Sequence, residues 1–324
     1  MTMILDGTSG VTLATQFDSA STFGFKNRFI NGAMQIAQRA TSGTSGSSVP
    51  TTSPAIYPSI DRWYAYATGA TVTVAQVAGT VPIKNNLAVT GAASVTAVGV
   101  GQRIEQLNSY DLAGSTATLS VNISNTLLTT VTWTASYATT ADTWTTKTQI
   151  ATGTFTVTST LTNYTANISI PSAATTGIEI LFTVGAQTSG TWTIGNAQLE
   201  KSSTATSFDY RSYGTELALC QRYYELFGHG GAGKAGSGNA NAEMAFTFQV
   251  TKRVVPSVLF VGSAANDVLT ECGLTTRKVS SIAGTSAGVN GSYVNSQTTT
   301  NGSGGVIISY PAGLASWLSA SAEL

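Results

Sequence analysis

Three short strings in this chain of 324 residues have the residue types of a reactive site. GTSAG, Gly284 to Gly288, has the spacing of a nucleophile elbow. An elbow needs a strand before it, a helix after it and a histidine to activate the serine. The single histidine, His229, lies in a glycine-rich run, so no nucleophile is expected. GAGKAG, Gly231 to Gly236, matches a dinucleotide fingerprint, but no strand pattern precedes it and no helix pattern follows. Gly228 to Lys234 overlaps it with the spacing of a phosphate loop, yet Ala235 stands where a magnesium-binding Ser or Thr is needed. Both matches follow from local glycine density. One His and two distant Cys, Cys220 and Cys272, rule out an ordinary zinc site. Isolated carboxylates (Asp61, Asp142, Asp267) leave calcium open, but no metal site and no cofactor is expected. A carboxylate pair for glycoside cleavage would have to come from Asp142, Glu179, Asp209, Glu243, Asp267 or Glu271, and their spacing pairs no two. The expectation is not an enzyme.

Aromatic rings set among hydroxyl and amide side chains are the remaining chemistry. Sugars are held by ring faces and by hydrogen bonds to their hydroxyls. Trp133, Tyr137, Trp144 and Trp192 are candidates in the first two thirds of the chain, with Tyr293, Tyr310 and Trp317 in the last third. The alternative for each ring is a place in a core or an interface. Trp63 and Trp192, on alternating stretches, are expected in the core. Trp144 sits in a polar, turn-like stretch, TTADTWTTK, and is expected to be exposed. A long loop over residues 263–304 is the favoured recognition region, because loops carry function more often than strands. Arg277 and Lys278 in that loop suit an acidic sugar, or are simply two solvated charges. The carbohydrate-binding set is therefore Trp144, Tyr293, Tyr310, Trp317, Arg277 and Lys278.

Composition narrows the partners. Charged residues are 9% of the chain, with 15 Lys and Arg against 15 Asp and Glu and no basic run. That excludes a nucleic-acid footprint. Ser, Thr, Asn and Gly must supply the polar surface, and they serve strands and turns better than helices. Neutral sugars or further copies of the chain suit such a surface. Two cysteines make no disulfide framework. MTMILDGTSG lacks the basic and apolar regions of a signal peptide, and no run approaches the ~18 apolar residues of a membrane span. The expectation is synthesis in a cytoplasm with no membrane insertion.

The elements that would position these residues are short strands. Residues 1–25 have no pattern and read as an arm. NRFINGAMQIAQRA (27–40) suggests a strand broken at the turn signal Asn31-Gly32. Residues 41–55 are low in complexity. From Asp61 to Glu200 the apolar period is two, with turns about every ten residues, which predicts a sandwich or jelly roll. From Gly214, TELALCQRYYELF has helical spacing up to Gly228. A glycine-rich linker follows, then strands again, with TKRVVP (251–256) as a turn carrying two cations. The predicted fold is all-β. Its parts are an N-terminal attachment arm (1–25), a jelly-roll sandwich (26–212), a helical junction and linker (213–241), and a smaller C-terminal β-sandwich tip (242–324). A short amphipathic helix is marginal alone. Three such helices about an axis would bury Leu217, Cys220, Tyr224 and Phe227, which predicts a trimer seam; the alternative is that the helix packs on its own sandwich.

Four stretches then resemble one family, in order. NRFINGAMQIAQRA followed by YPSIDRWYAY is similar to its opening. TWTIGNAQLEKSSTATSFDYRSYGTELALCQRYYE is similar to its most specific signature. FTFQVTKRVVPSV is similar to its tip strand-turn-strand, and SASAEL to its ending. The family is the short tail fibres and receptor-binding proteins of tailed bacteriophages, and the sandwich resembles the jelly-roll carbohydrate-binding modules of glycan-degrading enzymes. Ser202 and Ser203 depart from the usual glycine after QLE. The resemblance implies a homotrimer on a virion. Its partners would be other tail or baseplate proteins, reached through the N-terminal arm, and host surface polysaccharide. The alternatives are a purely structural appendage or plug contacting another viral protein, a bacterial glycan-binding module, and a glycan depolymerase.

Overall fold

A computed structural model describes residues 4–6, 10–12, 26–40, 42–45, 55–227, 232–235, 241–260, 268–271, 276–298, 304–307 and 318–324. The chain divides into two compact units, Met1–Tyr213 together with Leu324, and Gly214–Glu323.

Among the described residues the first unit holds thirteen strands. In chain order they are β1 (Ile4–Asp6), β2 (Gly10–Thr12), β3 (Ser42–Ser45), β4 (Tyr64–Thr68), β5 (Val72–Ala78), β6 (Asn85–Thr90) and β7 (Ala97–Ile104). Then follow β8 (Thr116–Asn125), β9 (Thr130–Thr140), β10 (Thr143–Thr156), β11 (Thr162–Ser169), β12 (Ile178–Val184) and β13 (Thr191–Glu200). β1 and β2 form a separate hairpin. The rest make two antiparallel sheets, one in the order β10-β9-β12-β7-β4 and the other β11-β8-β13-β6-β5-β3. The chain crosses between the sheets repeatedly, so its strands wind as a jelly roll. The period of two explains why they stack. Val98, Val100, Val131, Ile178, Ile180 and Phe182 point inward from one sheet, and Leu87, Leu119, Val121, Trp192, Ile194 and Leu199 from the other, all in one buried core. Trp63 and Trp192 lie in that core as expected, and Trp133 joins them.

The opening and closing stretches of this unit are locked together, and the opening one is not a strand. Residues 26–40 are turn and irregular chain. Asn31 adopts a left-handed backbone, φ 59°, which short polar side chains tolerate best. Its side chain accepts from Ile36 N at 3.0 Å and donates to Ile36 O and Asp61 O, while its carbonyl accepts from Trp63 Nε1. Gly32 lies against Ala197 O so closely that a Cβ there would sit 2.2 Å away. Asn27 spans the same gap, donating to Ala197 O and accepting from Leu199 N. Arg211 returns from the far end to Phe29 O. Gln198 accepts from Asp209 N, and Glu200 from Thr206 N.

The second unit begins near a helix, α1 (Tyr213–Gln221), and continues through β14 (Tyr224–Phe227), β15 (Ala232–Ala235), β16 (Asn241–Thr247), β17 (Ser257–Phe260) and β18 (Val268–Glu271). β19 (Thr276–Gly288), β20 (Gly291–Thr298), β21 (Gly304–Ile307) and β22 (Leu318–Ser321) complete it. β14, β22 and β17 form a three-stranded sheet, and β15-β16-β20-β19-β18-β21 close into a barrel. That barrel replaces the expected sandwich tip. The expected recognition loop at 263–304 contains β18, β19 and β20.

The helix is also shorter than its pattern predicts. It ends at Gln221, and Tyr224–Phe227 pair as a strand with Leu318–Ser321. Burial explains the switch. Phe227 packs edge-on against Phe246 and Phe248 at 5.4 and 5.3 Å, and Glu225 is buried against Lys252. Packing outweighs the helical spacing of the local sequence. Cys220, Tyr224 and Phe227 are thereby filled within one chain, at 0%, 7% and 6% exposure. Their burial is supplied by this chain's own residues, and Leu217 is half-buried. Lys252, read as a turn cation, is fully buried: its Nζ donates to Glu225, to Gln221 O at 2.7 Å and to Val250 O at 3.0 Å. No helix among the described residues is long and apolar enough to cross a membrane.

Candidate functional site

The outward face of the five-stranded sheet carries hydroxyls, tyrosines and one ionic cluster in ordered rows. Strand register sets the rows. Tyr66 pairs with Gly99, Gly99 with Thr183, Thr183 with Thr132, and Thr132 with Thr154. The next row is Tyr64, Gly101, Leu181, Thr134 and Thr152. The third is Arg103, Glu179, Ser136 and Gln149. At a strand spacing of about 4.8 Å, each five-residue row spans about 19 Å.

The two glycines shape one side. A Cβ on Gly99 would lie 2.2 Å from the Tyr66 ring, and one on Gly101 would lie 2.4 Å from Tyr64 Oη. Each ring therefore lies down over its neighbour's backbone. Both tyrosines are buried, whereas Thr132, Thr134, Leu181 and Thr183 are half-buried and Thr152 and Thr154 exposed. The face thus slopes from a tyrosine wall to open hydroxyls. Thr134 and Thr152 share a 3.2 Å hydrogen bond, and Thr152 donates to Trp133 O. Among the described residues the hydroxyls of Thr132, Thr154 and Thr183 make no hydrogen bond.

The third row closes one end. Arg103 Nε donates to Glu179 Oε1 at 3.1 Å, and Lys147 Nζ reaches Glu179 Oε2. The Arg103 guanidinium lies between two rings, 5.3 Å from Tyr64 and 5.4 Å from Trp144. Tyr57 meets Tyr64 edge-on, and Arg39 lies over Tyr57 at 5.2 Å. Cations and rings so form a chain from Arg39 through Tyr57, Tyr64 and Arg103 to Trp144, with Asp61 and Glu179 as counter-charges. Burial raises the Tyr64 pKa well above the ordinary phenol value; the Glu179 charge adds to this and Arg103 opposes it. The Tyr64 hydroxyl lacks a partner at good hydrogen-bond geometry, yet it stands close enough to Glu179 to feel that carboxylate strongly. Burial, and then Glu179, also push the Tyr66 pKa up.

Trp144 is therefore corrected. It lies on β10, buried at 6% exposure under Arg103, because Gly177 and Arg103, remote in sequence, close over it. Arg277 and Lys278 stand on β19 opposite Leu269 and Val268, not in a loop. Tyr293 stands on β20 opposite Ala245 and Ser286. The side chains of these three, and all of Tyr310 and Trp317, lie outside the described residues. GTSAG lies within β19, with a strand and not a helix following it. Among the described residues no cluster of His, Cys, Asp or Glu is arranged to hold a metal. Tyr64, Tyr66, Lys147, Thr132 and Thr183 escaped the sequence reading. A visible signal was Y-x-Y at 64–66 facing G-x-G at 99–101, a tyrosine opposite a glycine twice over.

No protein-family model matches the chain, and no curated protein matches it. Solved structures do. One is described as "CBM4 structure and function", at 15% identity over 53% of this chain and 98% of that one, TM-score 0.36. Another is TmCBM61 in complex with beta-1,4-galactotriose, at 12% identity over 55% of this chain and 100% of that one, TM-score 0.34. A third is the enzymatically active domain of tailspike protein 4 of bacteriophage CBA120, at 18% identity over 54% of this chain and 21% of that one, TM-score 0.36. At such identities and scores, the ligand of each remains a property of that protein alone.

Proposed function

We propose that the chain is a virion fibre protein of a tailed phage that adheres to host surface glycan through the hydroxyl-rich face of its sandwich. The observation that carries the glycan reading is the pair of rows from Tyr66 to Thr154 and Tyr64 to Thr152. They contain no charged side chain and leave at least three hydroxyls without a protein partner. A free hydroxyl both donates and accepts, which suits the hydroxyls of a sugar. The charges on this face are paired with each other at one end, so the ligand class is a neutral glycan. The ordered sequence resemblance to short tail fibres supports the virion setting. Adhesion rather than cleavage is favoured because Glu179 is the only carboxylate in the three rows and is clamped by Arg103 and Lys147; a glycosidase needs two. Assembly as a homotrimer would multiply weak sites into firm attachment.

The test is binding of the purified protein to host envelope polysaccharide, with Thr132→Val and Thr183→Val. Each substitution removes one half-buried hydroxyl that has no protein partner, costing about 1 kcal/mol, or about five-fold in affinity. Stability should change by less than about 0.5 kcal/mol. Binding that is insensitive to both substitutions would move the site elsewhere. No binding to any fraction of a susceptible host would leave the structural-appendage reading.

A further inference from the structure

A second set of polar groups lies on the outward side of the other sheet. β13 loses register with β8 between Gly195 and Gln198, and such breaks re-aim side chains. Within the break Asn196 has φ 40°, a backbone that residues other than glycine rarely adopt. Its Nδ2 donates to Tyr210 Oη at 2.8 Å. Its Oδ1 is buried and accepts nothing. On the neighbouring strand β6, Asn86 is 4% exposed, and its Oδ1 also is buried without a partner. That oxygen lies 2.0 Å from where a Cβ on Gly195 would be. Buried acceptors without donors are uncommon, and each calls for a reason.

Beside them is an aromatic pair. Tyr210 is 49% exposed, and its ring stands edge-on to Phe208 at 4.7 Å. Tyr210 Oη also approaches Pro82 O, next to Val81, which is 92% exposed. Tyr210 stands over the Asn196 amide on a single good hydrogen bond. One rotamer change of a half-exposed side chain would therefore release the Asn196 amide to turn its oxygen toward a ligand.

We propose that Asn86, Asn196 and Tyr210 form a second saccharide subsite, on the sheet opposite the threonine rows. Two neutral acceptors on adjacent strands call for a ligand with two neighbouring donors. The ring pair and Val81 call for an apolar flank beside those donors. A pyranose supplies both, with adjacent hydroxyls on one edge and C–H groups on a face. The two orphan oxygens carry no net charge, so they select hydroxyls without favouring an ion. The subsite does not depend on the glycan reading of the other face.

The experiment is ¹⁵N side-chain amide NMR of the whole chain, titrated with the methyl glycosides of glucose, galactose, mannose and N-acetylglucosamine. The expected result is a saturable shift of the Asn196 side-chain amide with at least one of the four, with Kd on the order of 1 mM for so few contacts. The shift should persist in Tyr66→Ala, which alters only the opposite face, and vanish in Tyr210→Ala. Tyr210→Phe, which keeps the ring, should retain a weakened shift and guards against a folding defect in the alanine variant. No saturable shift with any of the four, or a shift that survives Tyr210→Ala, overturns the proposal. An ordered water bridging the two oxygens in place of a sugar would account for them and overturn it equally.

Discussion

On the six-stranded sheet the outward side chains at the end of β13 are Gln198 and Glu200, and both are tied down by the segment that follows them. Gln198 holds Asp209 N and Glu200 holds Thr206 N, each at 2.8 Å. On the five-stranded sheet the outward side chains of β12 are Glu179, Leu181 and Thr183. Glu179 alone is held by ion pairs, while the other two stay half-buried at the surface. Two faces of one sandwich, built from similar strands, thus differ in what lies over them. Residues 201–211 bind back onto the end of the first, where the Asn86 and Asn196 oxygens stay unpartnered; the second carries the free hydroxyls of Thr132, Thr154 and Thr183. Polar groups that satisfy each other stabilise the fold. Polar groups left open contribute little to it and are free to bind.

The largest effect that would sharpen this contrast is Asn31→Ala. It removes two donated bonds and one accepted bond in a buried site, and places alanine at φ 59°. A loss of about 3 kcal/mol is expected, or several degrees in the melting temperature of the first unit. Calorimetry checks the loss, and ligand affinity measured below the transition should be unchanged. A loss below about 1 kcal/mol would mean that the Asn31 bonds to Ile36 and Asp61 are not what holds residues 26–40 in place.

Gly99→Ala tests the open face from the other direction. The added methyl meets the Tyr66 ring at 2.2 Å, so the ring must rise off the sheet. A stability cost of about 1–3 kcal/mol is expected from overpacking, smaller than for Asn31→Ala because a side chain can move where a backbone cannot. Glycan binding should fall with it, since Tyr66 walls the rows. An unchanged affinity would show that the ligand does not touch Tyr66.

How much of this was legible follows from which forces act locally. The strands from 61 to 200 were legible because burial of alternate residues leaves a period of two. β13 was read to its last residue, Glu200. The tyrosine wall was not. Trp63, Ala65 and Ala67 face inward and Tyr64 and Tyr66 outward, but either set reads as a core face until the glycines of β7 are placed opposite. The burial of Trp144 is hidden from the sequence for a related reason. Its polar neighbours in sequence suggested exposure, whereas its burial comes from Arg103 and Gly177. The helical reading past Gln221 failed because the residues that bury Glu225 and Phe227 come from Lys252, Phe246 and Phe248. The lock at Asn31 lay in a recognised turn signal, but its partners, Ile36, Asp61 and Trp63, had to be seen in space.

The smallest effect concerns pH, and it separates the open face from the second unit by sign. Tyr64 is held neutral by burial and by Glu179, so its folded pKa lies above the unfolded value. Below about pH 10 both states keep the proton and stability does not depend on it. Above that, the unfolded chain ionises first and stability falls with rising pH, by at most about 1.4 kcal/mol per pH unit for one group. Tyr66 acts in the same direction. Lys252 acts oppositely. Burial lowers its pKa, against the pull of Glu225, so the folded second unit releases that proton before the unfolded chain does. Its stability rises with pH across the window that ends near 10.5. Tyr64→Phe keeps the ring over Gly101 and removes the titrating group. Urea unfolding of the first unit at pH 8 should scarcely change in this variant, while the alkaline fall between pH 10 and 11 becomes shallower. Equal alkaline slopes for the parent and the variant would show that neither burial nor Glu179 holds the Tyr64 proton.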